Sequence, residues 1–147
     1  MQFFAIIDTN VIVSAVLNAK IDERREEKSN PRTIIDFVRK GIIIPFVNAE
    51  ILYEYYDILF QKRFNFNKER VFEILDSFLN KIKTVSKLPD SIVDLPDKTD
   101  TPFYAVTLSA REETDAYLVT GNLKDFPREP YVVSPKEMID IIESKLK

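Results

Sequence analysis

Solid apolar runs alternate along the chain with stretches in which apolar residues recur every three or four positions. Phe3 to Ile7, Ile42 to Val47, Ala116 to Val119 and Tyr131 to Val133 are short apolar runs, as expected of strands buried on both faces. Ile82 to Val85 is a weaker run of the same kind. The spacing between them predicts helices. Val11 to Leu17 opens after Asp8-Thr9-Asn10, with Thr9 or Asn10 as its cap, and the polar stretch Asn18 to Asn30 reads as a surface loop. A second helix has Asn30 as cap, Pro31 at its first position, Ile34, Ile35, Phe37 and Val38 as its stripe, and Gly41 at its end. Asn48 caps a third helix reaching Lys62, and Asn67 caps a fourth through Leu79. After a loop from Ser86 to Asp97, Thr99 or Asp100 opens a fifth helix, and Ser134 with Pro135 and Glu137 forms a capping box for the last.

Strands alternating with helices predict an α/β fold with a parallel sheet covered on both sides. At 147 residues, without repeat or linker, residues 1–147 are expected to be a single domain with one core. The opening Met1 to Ile7 has neither a basic region nor a small-residue cleavage site, and no window suits a membrane span. A cytoplasmic protein with no membrane partner is the expectation.

The chain has no cysteine, no histidine and no tryptophan. That removes disulfides, thiolate nucleophiles, imidazole bases and the usual zinc ligands. Catalysis in such a chain falls to carboxylates, hydroxyls, amines or a hard metal ion. The net charge of −3 gives no general attraction to nucleic acid. Basic residues do cluster locally, among them Arg24, Arg25, Lys62 and Arg63, and solvated helix faces are the commoner reason for such clusters.

In open parallel sheets, sites form at the carboxyl ends of strands where the strand order reverses. Asp8 directly follows the first strand, Asp97 and Asp100 lie where a loop meets the fifth helix, and Asp125 lies in the turn after the fourth strand. If the first and fourth strands are neighbours, these acids share a crevice. On the third helix, at about 100° per residue, Glu54 falls about 40° from Ile58, at the rim of the apolar arc, while Glu50 and Asp57 point further toward solvent. Each acid has an ordinary structural reading beside this one. Asp8 ends a strand, Asp100 before Thr101-Pro102 suits an N-cap, Asp125 before Phe126-Pro127 suits a turn, and a helical Glu54 suits solvent. Together, four oxygen donors without His or Cys suit Mg²⁺ or Mn²⁺.

These residues resemble the PIN-domain family of metal-dependent ribonucleases, which includes the toxin halves of bacterial toxin–antitoxin pairs (VapC-like proteins). Ile6-Ile7-Asp8-Thr9-Asn10-Val11 with Ser14-Ala15 resembles the family's opening, and Glu50-Ile51-Leu52-Tyr53-Glu54 its second acidic helix. Asp97-Lys98-Thr99-Asp100-Thr101-Pro102-Phe103 and Thr120-Gly121-Asn122-Leu123-Lys124-Asp125-Phe126 resemble its third and closing segments. The resemblance implies a three-layer α/β/α sandwich with five parallel strands in order 3-2-1-4-5. It implies RNA as substrate, with Asp8, Glu54, Asp100 and Asp125 as catalytic metal ligands and Asp97 as an auxiliary. Thr9, Asn10, Thr120 and Asn122 would orient ligands or metal-bound water, Asn122 standing where many relatives carry Asp. Arg24, Arg25, Lys62 and Arg63 would contact the RNA backbone. A cognate antitoxin and homodimerisation are further implications.

Two alternatives remain at this point. A haloacid-dehalogenase-like phosphatase also places an Asp after its first strand, but needs a second Asp where this chain has Asn10. A non-catalytic PIN-like module binding RNA or protein is kept in play by Asn122. Tyr53, Tyr55, Tyr56, Phe64 and Phe66 suit a dimer face or a base-stacking platform, although core packing is the commoner fate of such a cluster.

Overall fold

The computed structural model of the chain describes residues 1–22, 28–79, 83–84, 95 and 97–146, with backbone alone for 18–22 and 83–84. Strand β1 (Phe3–Ile7) runs through its centre, with β2 (Ile43–Val47) parallel on one side and β4 (Tyr117–Val119) parallel on the other. Successive strand side chains point to opposite faces. Ala5, Ile6 and Ile7 all have 0% exposure, so both faces of β1 are covered.

Four parallel strands in order β2-β1-β4-β5 form the body of the sheet, β5 being Val132–Val133. Of the weak third strand expected over Ile82 to Val85, two residues are described as strand. The edge beyond β2 holds only a two-residue β3 (Lys83–Thr84), paired with Phe46 and Val47 and completing the order β3-β2-β1-β4-β5. Ile82 and Val85, expected in that strand, lie outside the described residues.

The connecting helices are α1 (Thr9–Asp22), α2 (Asn30–Arg39), α3 (Ala49–Leu59), α4 (Lys68–Leu79), α5 (Thr101–Arg111) and α6 (Pro135–Leu146). Several ends differ from expectation. α1 continues to Asp22, five residues past Leu17, because nothing in Asn18 to Asp22 breaks a helix. Ser29 rather than Asn30 caps α2, accepting the backbone N–H of Arg32. α3 stops at Leu59, short of Lys62, and the chain turns through Asn65, which takes a left-handed φ of 47°. The caps Asn48 and Asn67 hold, accepting from Ile51 at 2.9 Å and Arg70 at 3.2 Å. The Ser134–Glu137 capping box forms in both directions, at 3.0 and 3.1 Å.

The core brings Tyr55 of α3 against Phe78 of α4 and Phe103 of α5, with ring centroids 5.8 and 6.3 Å apart. Tyr55 is wholly buried, and its hydroxyl donates to the carbonyl of Ile7. That bond fixes α3 under the end of β1, immediately before Asp8. Among the described residues, no helix is long and apolar enough to cross a membrane.

Candidate metal centre

The parallel pairing of β1 with β4 brings their carboxyl ends together, and the Asp8 N–H donates to Val119 at 2.9 Å. Asp8 is 5% exposed. Its Oδ2 accepts the Thr120 hydroxyl at 2.8 Å and the Asn10 side-chain amide at 3.2 Å. The backbone N–H groups of Thr9 and Asn10, at the start of α1, also donate to its carboxylate. Burial nevertheless raises the Asp8 pKa above its ordinary value, and the charge of Asp125 adds to this against the hydrogen bonds. Asn10 works at both ends of its amide, since its Oδ1 accepts the Gly121 N–H at 3.0 Å. An Asp there, as a haloacid-dehalogenase-like phosphatase requires, could not donate to Asp8 while ionised.

Glu54 reaches the same region from α3. Its Oε2 accepts the hydroxyl of Thr9, which joins the start of α1 to the middle of α3. The side chain is half-buried, and desolvation raises its pKa, followed by the charges of Asp8, Asp97 and Asp57.

Asp97 and Asp100 divide the work of the third segment. Asp97 caps a single 3-10 turn, Lys98–Asp100, accepting the Thr99 N–H at 2.9 Å and its hydroxyl at 2.7 Å. These bonds hold the exposed Asp97 carboxyl below its ordinary pKa. Asp100, the N-cap candidate of the sequence, makes no side-chain cap bond to α5. Its Oδ2 is buried without a hydrogen-bond partner among the described residues. Burial, and then the charges of Asp8, Asp97, Asp125 and Glu54, push its pKa up to about 7.

Asp125 closes a 3-10 turn after β4 (Leu123–Asp125), half-buried, with its charge felt by both Asp8 and Asp100. Asn122 is exposed, its side chain does not cap that turn, and its backbone N–H donates to Thr120 Oγ1 at 3.0 Å. Of the four expected polar supports, Thr9, Asn10 and Thr120 make these bonds through their side chains and Asn122 through its backbone.

The donor set tests well against a hard divalent cation. Every donor is oxygen, and Asp100, which keeps a buried unpartnered oxygen, feels the charges of Asp8, Asp97, Asp125 and Glu54. Among the described residues, however, no group of three or more acidic side chains stands arranged to hold an ion. Carboxylates that repel one another have no cause to close up before a cation neutralises them. The chemistry of the donors, rather than an assembled cage, carries the fit.

The expected RNA contacts are described only in part. Arg24 and Arg25 lie outside the described residues. Lys62 and Arg63 are exposed on the turn after α3, where the Arg63 guanidinium sits 4.6 Å from the centre of the Phe64 ring. Sequence reasoning missed Tyr55 as a support of the site. The signal was present: a Tyr on the buried arc of α3 needs a partner for its hydroxyl.

A family model described as PIN domain matches residues 5–124. No curated protein and no solved structure matches the chain.

Proposed function

Because the chain belongs to the PIN-domain family, whose members are typically nucleases, we propose that it is a metal-dependent endoribonuclease hydrolysing RNA phosphodiester bonds. Asp8, Glu54, Asp100 and Asp125 would hold Mg²⁺ or Mn²⁺, with Asp97 in reserve beside them. When bound, the ion supplies positive charge for the phosphoryl oxygens and lowers the pKa of a water. The chain's own residues do the positioning. Thr120 and Asn10 fix the Asp8 carboxylate, and Thr9 orients Glu54. Burial first, and then the charges of its neighbours, raise the pKa of Asp100 to about 7, and a bound cation would take the place of its proton.

The buried, partnerless Oδ2 of Asp100, a carboxyl that feels the charges of four other acids, carries this reading. An acid with a structural duty accepts hydrogen bonds, as Asp97 Oδ1 does from Thr99. The same reading extends to a toxin whose open acidic crevice is covered by a protein antitoxin, and to a homodimer. The competing reading, a non-catalytic PIN-like module, draws on the exposed Asn122 and on the carboxylates standing apart.

Cleavage of a mixed RNA panel, including tRNA, with and without Mn²⁺ or Mg²⁺, tests the proposal. Metal-dependent cutting that is lost in Asp8→Asn supports it. RNA or protein binding without cutting by folded, metal-saturated protein favours the binding module.

A further inference from the structure

Tyr53 immediately precedes Glu54 on α3, yet it meets water where Tyr55 meets the core: it is 74% exposed against 0% for Tyr55. An exposed aromatic on its own is ordinary surface. This one lines an open cleft of about 690 Å³ together with Glu54, Lys98, Thr99 and Pro102. The cleft therefore begins at one of the proposed metal ligands and runs over the turn that Asp97 caps. Its other polar walls are Glu50 and Asp57. They stand three residues before and four after Tyr53, so on a helix they flank its ring on the same face.

We propose that this cleft binds one unpaired nucleotide of the RNA substrate, its base stacked on Tyr53 and its phosphate beside Lys98. The inference rests on the ribonuclease reading and assigns to Tyr53 and Lys98 the holding of the substrate nucleotide beside Glu54. Three features of the cleft select this occupant. Its volume suits a nucleotide and exceeds what a lone ion needs. It adjoins Glu54, where a scissile phosphate has to arrive. Lys98 supplies the positive charge among its lining residues, while the acids that flank Tyr53 disfavour a phosphate lying over the ring. Stacking needs an exposed face of the base, which a paired and stacked duplex withholds.

The test uses full-length protein carrying Asp8→Asn, so that RNA is bound in Mg²⁺ without being cut. Binding of a fluorescein-labelled single-stranded oligoribonucleotide is compared with binding of its duplex. The proposal expects preference for the single strand, a loss of about 10-fold in affinity on adding Tyr53→Ala, and near-full affinity on adding Tyr53→Phe. Lys98→Gln should weaken binding and flatten its salt dependence. In the otherwise unaltered enzyme, Tyr53→Ala should raise KM more than it lowers kcat. Equal affinity of Tyr53→Ala and its parent overturns the proposal, and if the unaltered enzyme still cuts RNA the ribonuclease reading survives. A dimer that becomes a monomer on Tyr53→Ala, measured by light scattering, also overturns it, because Tyr53 would then face a second copy. Absence of both RNA binding and cutting brings down the two readings together.

Discussion

Asp97 and Asp100 stand three residues apart on one short turn, and their carboxylates have opposite surroundings. Asp97 accepts two hydrogen bonds from Thr99, while Asp100 keeps one buried oxygen to which no described residue donates. Because Asp97 takes the capping duty, Asp100 is left to the acidic cluster. The substitution Asp97→Ala should therefore lower the melting temperature by loosening the turn. Asp97→Asn, which keeps an acceptor oxygen, should leave it nearly unchanged. If Asp97→Asn instead abolishes Mn²⁺ binding in a titration, Asp97 is an obligatory ligand rather than an auxiliary.

The pKa of Asp100, raised from 3.8 to about 7 in the folded protein, has a defined sign in stability. The folded protein holds a proton that the unfolded chain has already released across that interval. Stability from this group is complete below the unfolded value and is lost as pH rises through about 7. Metal-free protein should melt lower at pH 8 than at pH 5, and Asp100→Asn should flatten this dependence. Added Mn²⁺ should raise the melting temperature more at pH 8 than at pH 5, since the ion replaces the missing proton. Melting curves at the two pH values, with and without EDTA, check both statements.

Thr120 is wholly buried, donating to Asp8 and accepting from the Asn122 backbone. Thr120→Val keeps its shape and removes both bonds. The expected cost is about 1–3 kcal/mol of stability, read by urea unfolding. Mn²⁺ affinity should fall by roughly 10- to 100-fold, because Asp8 is no longer oriented. An unchanged metal affinity would remove Thr120 from the site.

Two glycine substitutions separate site geometry from general backbone effects. A Cβ at Gly121 would lie 3.3 Å from Asn10 Oδ1, the atom that accepts the Gly121 N–H, so Gly121→Ala must displace Asn10. Mn²⁺ affinity should drop with it. At Gly41 a Cβ meets open space, but φ is +75°. Gly41→Ala should cost about 1 kcal/mol of stability through strain and leave metal binding intact. Calorimetric titration of both variants makes the comparison.

The fold was legible in the sequence where periodicity was strong. Ala5, Ile6 and Ile7 announce a strand buried on both faces, and the Asn48, Asn67 and Ser134 caps are readable from side-chain chemistry alone. Boundaries were lost where local preference was weak. Asn18 to Asp22 is polar yet tolerates a helix, and Ser29 and Asn30 are equally good caps whose choice depends on packing. At the site, the order of acids along the chain identified the candidates. Which of Asp97 and Asp100 would cap the turn depended on side-chain orientation, which no spacing rule encodes. The different fates of Tyr53 and Tyr55 follow from helical phase, since two residues along a helix is about 200° around it.

If these carboxylates hold a divalent ion, RNA hydrolysis depends on it. The most direct measurement records RNA cleavage rate and Mn²⁺ binding on the same preparation, as Mn²⁺ is titrated into EDTA-stripped protein, beside Asp8→Asn. No cleavage is expected without metal, the rate should rise with occupancy, and the variant should lose cleavage. Cleavage that persists in EDTA, or undiminished cleavage by Asp8→Asn, would contradict this dependence.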